Sequence, residues 1–234
     1  MNYPKLIAIG GLKNSGKDTA AEMLQYLLNS PKWLHSYRLY KIFKKLFKKQ
    51  YKITSFAAPL KRTLGALLNI PEKRFNDRDF KENYYIYFPT LEITNRPPIY
   101  KILSDSKFSR SVSNKDLTFI KSYYITIRQL LQVFGTECMR EIFGDKLWIL
   151  STLKTKGYTI ISDLRFKTEF QAIKENNGYT IYIHRDIAKP SNHASERELG
   201  EMLQNDLFDS IIDNNGSLKD LFMSVKSIIK YYKK

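Results

Sequence analysis

The residues best equipped for chemistry stand in one short run. Gly11-Leu12-Lys13-Asn14-Ser15-Gly16-Lys17 has the spacing G-x-x-x-x-G-K, after the apolar residues 6–9 and before a helical pattern. Glycines so spaced let backbone N–H groups wrap a polyphosphate, the helix N-terminus adds partial positive charge, and the Lys17 ammonium reaches the β- and γ-phosphates. Most loops of this kind place Ser or Thr directly after the lysine, where the hydroxyl meets Mg²⁺. Here Asp18 takes that place and the hydroxyl comes one residue later, on Thr19. Asp18 therefore reads either as a water-mediated Mg²⁺ partner or as an acid that favours the helix N-terminus. Thr19 reads as a donor to a phosphate.

Three further groups carry charge where a nucleotide site needs it. Asp163 and Arg165 follow an expected strand over 158–162. A carboxylate there suits a metal or its waters, and the guanidinium two residues on offers a fork for a phosphate; a structural ion pair is the alternative for each. Glu169 is expected one turn along from Arg165, able to accept from a base edge. Arg128, Gln132, Thr136 and Arg140 are spaced by four on an expected helix over 126–142. Arg128 and Gln132 would project together, as a phosphate contact beside a base contact or as an ordinary polar face. The segment 185–200 holds Arg185, Lys189, His193, Ser195, Glu196 and Arg197 and reads as a lid, with Arg185 or Arg197 supplying charge. Ser195 and Glu198 also fit a helix-capping box.

These groups need a scaffold, and the pattern supplies one. Helices are expected at 17–28, 59–68, 145–153, 167–176, 195–203 and 217–231, and strands at 51–56, 158–162, 180–184 and 210–212. Alternating β and α segments imply a central parallel sheet with helices on both faces, and ligands beyond the carboxyl ends of its strands. The expectation is one α/β domain over 1–234, with insertions at about 31–50 and 76–124 and the lid at about 185–200. Residues 69–120 show little periodicity and read as a substrate-covering subdomain or a long insertion. The 33–52 stretch interleaves aromatics with lysines, and residues 42, 43, 46 and 47 would share one face of a basic amphipathic helix. Cys138 is the single cysteine, which excludes an intramolecular disulfide and reads as a buried structural thiol. No apolar run is long enough to span a bilayer, so no membrane is expected and a cytoplasmic location is. The net charge of +16 could serve anionic substrates or nucleic acid, but abundant Lys, Asn, Ile and Tyr suggest an AT-rich coding sequence and weaken either reading.

With its motifs in place, the chain resembles the deoxynucleoside monophosphate kinases of tailed phages and related viruses, a branch of the P-loop kinases. The resemblance rests on 11–19, on Ser55-Phe56-Ala57-Ala58-Pro59-Leu60-Lys61, on 128–137, on Asp163-Leu164-Arg165-Phe166 through Glu169, on His193-x-Ser195-Glu196, and on Asn214-Asn215-Gly216-Ser217-Leu218. It implies a P-loop kinase fold, with ATP and Mg²⁺ as cofactors and a deoxynucleoside monophosphate as acceptor. Lys17 would cradle the ATP phosphates, with Asp18 and Asp163 on the waters of the metal. Arg128 and Arg165 would hold the acceptor phosphate, Gln132, Glu169 and Lys61 would line the acceptor site, Arg185 or Arg197 would be the lid cation, and Asn215 and Gly216 would lie near the adenine. Ala58 stands where an acidic residue is expected, which marks that part of the acceptor site as altered. Homodimerisation is left open, and no stable nucleic-acid partner is expected. The competing readings are another small-molecule kinase, similar to phosphomevalonate or dephospho-coenzyme A kinases, and an ATP-dependent nucleic-acid-binding protein.

Overall fold

A computed structural model describes residues 3–30, 50–88, 91–92, 119–120, 123–154, 157–188 and 194–231. The expected basic helix around 41–49, the whole 93–118 stretch, Lys189 and His193 lie outside the described residues. The chain divides into two compact units, 1–57 with 149–234, and 58–148.

The first unit is built on a five-stranded parallel sheet. Its strands are β1 (Leu6–Gly10), β2 (Tyr51–Thr54), β7 (Tyr158–Leu164), β8 (Tyr179–His184) and β9 (Ser210–Asp213), in the order β2-β7-β1-β8-β9. The order puts β1, and the loop that follows it, in the middle of the sheet. Alternation along each strand feeds two separate cores. Ile7, Ile9, Ile160, Ile181 and Ile183 point to one face, where Ala20, Met23 and Leu24 of α1 (Lys17–Asn29) and Leu221, Val225 and Ile229 of the C-terminal helix (Leu218–Tyr231) cover them. Ala8, Ile161 and Tyr182 point to the other, against Phe170 and Ile173 of the helix Lys167–Glu175 and Leu199 and Met202 of the helix Ala194–Gln204. Because all five strands run the same way, Gly10, Thr54, Leu164, His184 and Asp213 end along one edge.

The second unit has a smaller core of Leu60, Leu64, Phe75, Phe80, Ile127 and Trp148. It holds α2 (Ala58–Leu68), a 3₁₀ turn (Glu72–Asn76), α3 (Arg78–Asn83), and an antiparallel pair of β3 (Tyr85–Phe88) and β6 (Tyr123–Thr126), with a second short pair, β4 (Leu91–Glu92) and β5 (Phe119–Ile120). The helix α4 (Ile127–Gln132) is started by a reciprocal capping box between Thr126 and Gln129. Then come a π-helical stretch (Val133–Cys138), α5 (Met139–Phe143) and α6 (Leu147–Leu153), whose last residues belong to the first unit. The remaining helices are α7 (Lys167–Glu175), α8 (Ala194–Gln204) and α9 (Leu218–Tyr231).

Four expectations are corrected. The strand ending at 162 continues to Leu164, whose fully buried side chain keeps the pairing with Gly10 worthwhile. Residues 72–88 are ordered elements too short to show a period; Phe75 and Phe80 anchor them, and Asp77 caps α3 by accepting from the Phe80 N–H at 3.3 Å. The continuous helix over 126–142 is interrupted by its π stretch, where the Gly135 carbonyl accepts from the Trp148 indole at 3.0 Å. A wider i→i+5 turn removes Thr136 and Arg140 from the register that Arg128 and Gln132 share. Cys138, in that stretch, is only half-buried.

Candidate active site

The phosphate loop joins β1 to α1, and local geometry explains its composition. Asn14 (φ 67°) and Gly16 (φ 95°) both take left-handed backbone, which Asn tolerates and Gly adopts without penalty. A Cβ at Gly16 would lie 2.3 Å from Asn214 Nδ2, and one at Gly11 would lie 2.5 Å from Ser15 Oγ and 2.8 Å from the Ile183 carbonyl. Neither position admits another residue without displacing its neighbours. The turn is closed by the Ser15 N–H, which donates to the Leu12 carbonyl at 3.1 Å. Gly16 is the N-cap of α1 and brings no side-chain acceptor to the first helical turn. Lys17 opens that helix, is buried to 8% exposure, and donates from Nζ to the Leu12 carbonyl at 3.4 Å. A buried ammonium, the N-terminus of a 13-residue helix and a glycine-shaped turn therefore converge on one spot. Lys13 and Asp18 are exposed and Thr19 is half-buried.

Around the loop, the first unit brings together several of the remaining expected residues. Gly16, Thr19, Arg185, Asn214, Gly216, Leu218 and Leu221 line one half-open cleft. Asn215 is tied into the turn beside it, accepting from the Asp186 N–H at 2.9 Å and donating from Nδ2 to Asp213 at 2.7 Å. Asp163 stands on β7 as expected at its carboxyl end, and its two oxygens accept the Phe56 N–H at 2.7 Å and the Ala57 N–H at 3.2 Å. The carboxylate thus fixes the turn that follows β2. Arg165 precedes α7 instead of sharing a helical face with Glu169. Glu169 is 3% exposed, and its Oε2 accepts the N–H groups of Arg165 at 2.9 Å and Phe166 at 3.1 Å. Its carboxylate thus caps α7 and holds the Arg165 turn. Ser195 lies inside α8, not at its cap, and Glu198 accepts instead from the Lys167 N–H at 2.8 Å, at the start of α7. Arg197, the other candidate lid cation, is exposed.

The expected acceptor residues of the second unit sit on different supports. Arg128, on α4, donates from Nε to Glu82 Oε1 at 2.7 Å, and its Nη2 lies 2.7 Å from the same oxygen. Lys61, on α2, donates to Asn76 Oδ1 at 2.8 Å, and Gln132 is exposed.

A family model described as deoxynucleotide monophosphate kinase matches residues 5–225, which takes in the loop, both strand-end segments and the whole second unit. The chain belongs to that family. Two curated relatives agree. A deoxynucleotide monophosphate kinase of Enterobacteria phage T4 is 25% identical over a 262-position alignment that covers 97% of this chain and 99% of the phage protein. A provisionally named deoxynucleotide monophosphate kinase of Acanthamoeba polyphaga mimivirus is 26% identical over 145 residues, 55% of this chain and 74% of that protein. Among solved structures, the dephospho-CoA kinase of Campylobacter jejuni covers 97% of this chain at 16% identity and a TM-score of 0.35. No helix among the described residues is long and apolar enough to cross a membrane.

Two participants went unassigned in the sequence of this family member. Asn214 is nine-tenths buried and donates from Nδ2 to the Ser15 carbonyl at 2.8 Å. Its signal was present, an Asn at the end of an apolar strand beside Asn215-Gly216, but only the fold brings it beneath the loop. Glu82 lies in the segment that lacked periodicity, so nothing in the sequence pointed it toward Arg128.

Proposed function

We propose that this deoxynucleotide monophosphate kinase uses ATP, with Mg²⁺ bound to it, to convert a deoxynucleoside monophosphate to the diphosphate, supplying DNA precursors in a host cytoplasm. One observation carries the reading above the rest: the buried Lys17 and its glycine-shaped loop lie inside a family match that runs from 5 to 225. The donor set fits the ligand. Backbone N–H groups, a helix N-terminus and a buried ammonium suit a triphosphate, and the carboxylates of Asp18 and Asp163 are the hard oxygen ligands that Mg²⁺ or its waters take. The metal, when bound, would offset charge on the β- and γ-phosphates.

The protein's own part is positioning and charge. Lys17 stabilises charge on the migrating phosphoryl group as an acceptor phosphate oxygen forms its bond to the γ-phosphorus and the bond to the β–γ bridging oxygen breaks, leaving ADP. Arg185 and Gly216, in the cleft with Thr19, serve the donor nucleotide, with Asn215 bracing the turn. Arg165, its backbone fixed by Glu169, is assigned to the acceptor phosphate; Arg128, Gln132 and Lys61 of the 58–148 segment, read as the acceptor-side insertion of one kinase domain, are assigned to acceptor binding by themselves. No protein nucleophile is required. The test is ADP formation with Mg²⁺–ATP against the four common deoxynucleoside monophosphates and their ribose counterparts, with products resolved. Turnover that depends on a deoxynucleotide is expected; silence across the panel with ATP still bound overturns the acceptor assignment.

A further inference from the structure

We propose that Asn214 is a positioning residue for ATP binding, one that sets the orientation of the phosphate loop through the Ser15–Gly16 peptide. This deepens the function proposed above and rests on its reading of the loop as a triphosphate site. Asn214 follows β9 and is clamped from two sides. Its backbone N–H donates to the His184 carbonyl at the end of β8 at 2.8 Å, so the main chain is fixed to the neighbouring strand. Its side-chain Nδ2 donates to the Ser15 carbonyl at 2.8 Å, a buried bond between residues 199 apart in sequence.

The consequence follows from peptide geometry. The Ser15–Gly16 peptide is planar and trans, so its carbonyl and its N–H point in opposite directions. With the Ser15 carbonyl held on Asn214, the Gly16 N–H is turned away from the body of the protein, toward the side where a phosphate would lie. Without that bond, the peptide could rotate and present the carbonyl dipole to an anion. Gly16 is part of the same device: a Cβ there would meet Nδ2 at 2.3 Å, so loop and amide are built against each other. Asn214 also lines the cleft shared by Gly16, Thr19, Arg185 and Gly216. The strand-end amide thus ties the phosphate end of the site to the 214–216 turn.

The experiment measures ATP affinity by calorimetry in the absence of acceptor, alongside KM for the acceptor deoxynucleotide and thermal melting of the full chain. Asn214→Ala removes the donor, and ATP binding is expected to weaken about five- to thirtyfold, the worth of a lost bond to a buried carbonyl. KM for the deoxynucleotide should stay within about twofold. Asn214→Asp is the sharper variant. Its carboxylate opposes the Ser15 carbonyl near neutral pH, whereas the protonated acid can donate to it, so ATP affinity relative to wild type should recover as pH is lowered toward the carboxyl range. Unchanged ATP affinity in Asn214→Ala, equal loss of ATP and deoxynucleotide, or a flat pH ratio in Asn214→Asp overturns the proposal. So does a variant that stays unfolded with and without ATP, because Asn214 would then serve the fold and not the site. Wild-type chain that binds ATP but phosphorylates no deoxynucleotide would retire the acceptor reading and leave this test standing.

Discussion

The two places expected to hold phosphate are built on opposite principles. The loop of the first unit is made of backbone: Asn14 and Gly16 in left-handed conformations, a helix N-terminus, and a buried lysine, with Asn214 fixing the Ser15 carbonyl from beneath. Its shape is set before any ligand arrives. In the second unit, Arg128 is a side chain held by another side chain, Glu82, with both more than a third exposed to solvent. Lys61 likewise donates to the Asn76 side chain, at an exposed site. A backbone-built site binds one kind of group rigidly, as suits a donor triphosphate common to many reactions. A site made of exchangeable side-chain partners can re-form around its ligand.

If that contrast holds, the largest loss comes from the rigid site. Lys17→Ala removes the only side-chain cation that the loop buries, and kcat should fall about 10²–10³-fold or more with melting preserved. A variant that turns over at the wild-type rate would remove the loop from the chemistry altogether. Next comes Arg165→Ala. Its backbone is fixed by Glu169, but its side chain is half-buried and is assigned to the acceptor. Loss of a charge-assisted contact predicts a rise of about ten- to a hundredfold in KM for the deoxynucleotide, with ATP affinity within about twofold. Equal loss of both would move Arg165 to the donor side.

What could be read from the sequence follows the same divide. The phosphate loop is contiguous, so its spacing sufficed, and the sheet was legible because Ile7 and Ile9 alternate with Ala8 just as Ile181 and Ile183 alternate with Tyr182. Contacts made at long range were not legible. Asn214 reaches Ser15 across 199 positions and Arg128 reaches Glu82 across 46, and no local pattern encodes either. The cap made by Glu169 was missed for a subtler reason. Its place in the chain fits a ligand contact as well as the third residue of a helix cap, and the cap shows only in its burial to 3% exposure and in the Phe166 N–H that it accepts. The helix over 126–142 failed because a 3.6-residue period cannot anticipate a π stretch over Val133–Cys138.

The acceptor side of the contrast can be sharpened by Glu82→Gln. If Glu82 is an exchangeable partner, it competes with an acceptor phosphate for the Arg128 guanidinium. Removing its charge should then lower KM for the deoxynucleotide by up to about fivefold, the ceiling set by an exposed ion pair. ATP affinity should not move. A rise in KM would show instead that Glu82 orients Arg128, and the second site would be preorganised after all.

The smallest functional effect is expected at a polar cluster of the first unit that resembles the Asn214 device but lies away from the loop. Asp209 Oδ2 accepts from the Thr180 N–H at 2.7 Å and from its hydroxyl at 2.8 Å, while Lys174 Nζ lies 2.7 Å from each Asp209 oxygen. Burial works to raise the Asp209 carboxyl, but the Lys174 ammonium and the two Thr180 donors outweigh it and hold the group below its ordinary value. A carboxylate depressed on folding contributes stability above its unfolded value of about 3.9, and the contribution is lost as pH falls through the folded value. Asp209→Asn should therefore lower Tm near neutral pH by a few degrees, a shift of about 1 kcal/mol, and should flatten the fall in Tm below about pH 4. ATP affinity and both KM values should match wild type. A change in ATP affinity as large as that of Asn214→Ala would mean that any buried tie in this unit sets the loop, and the special place given to Asn214 would be lost.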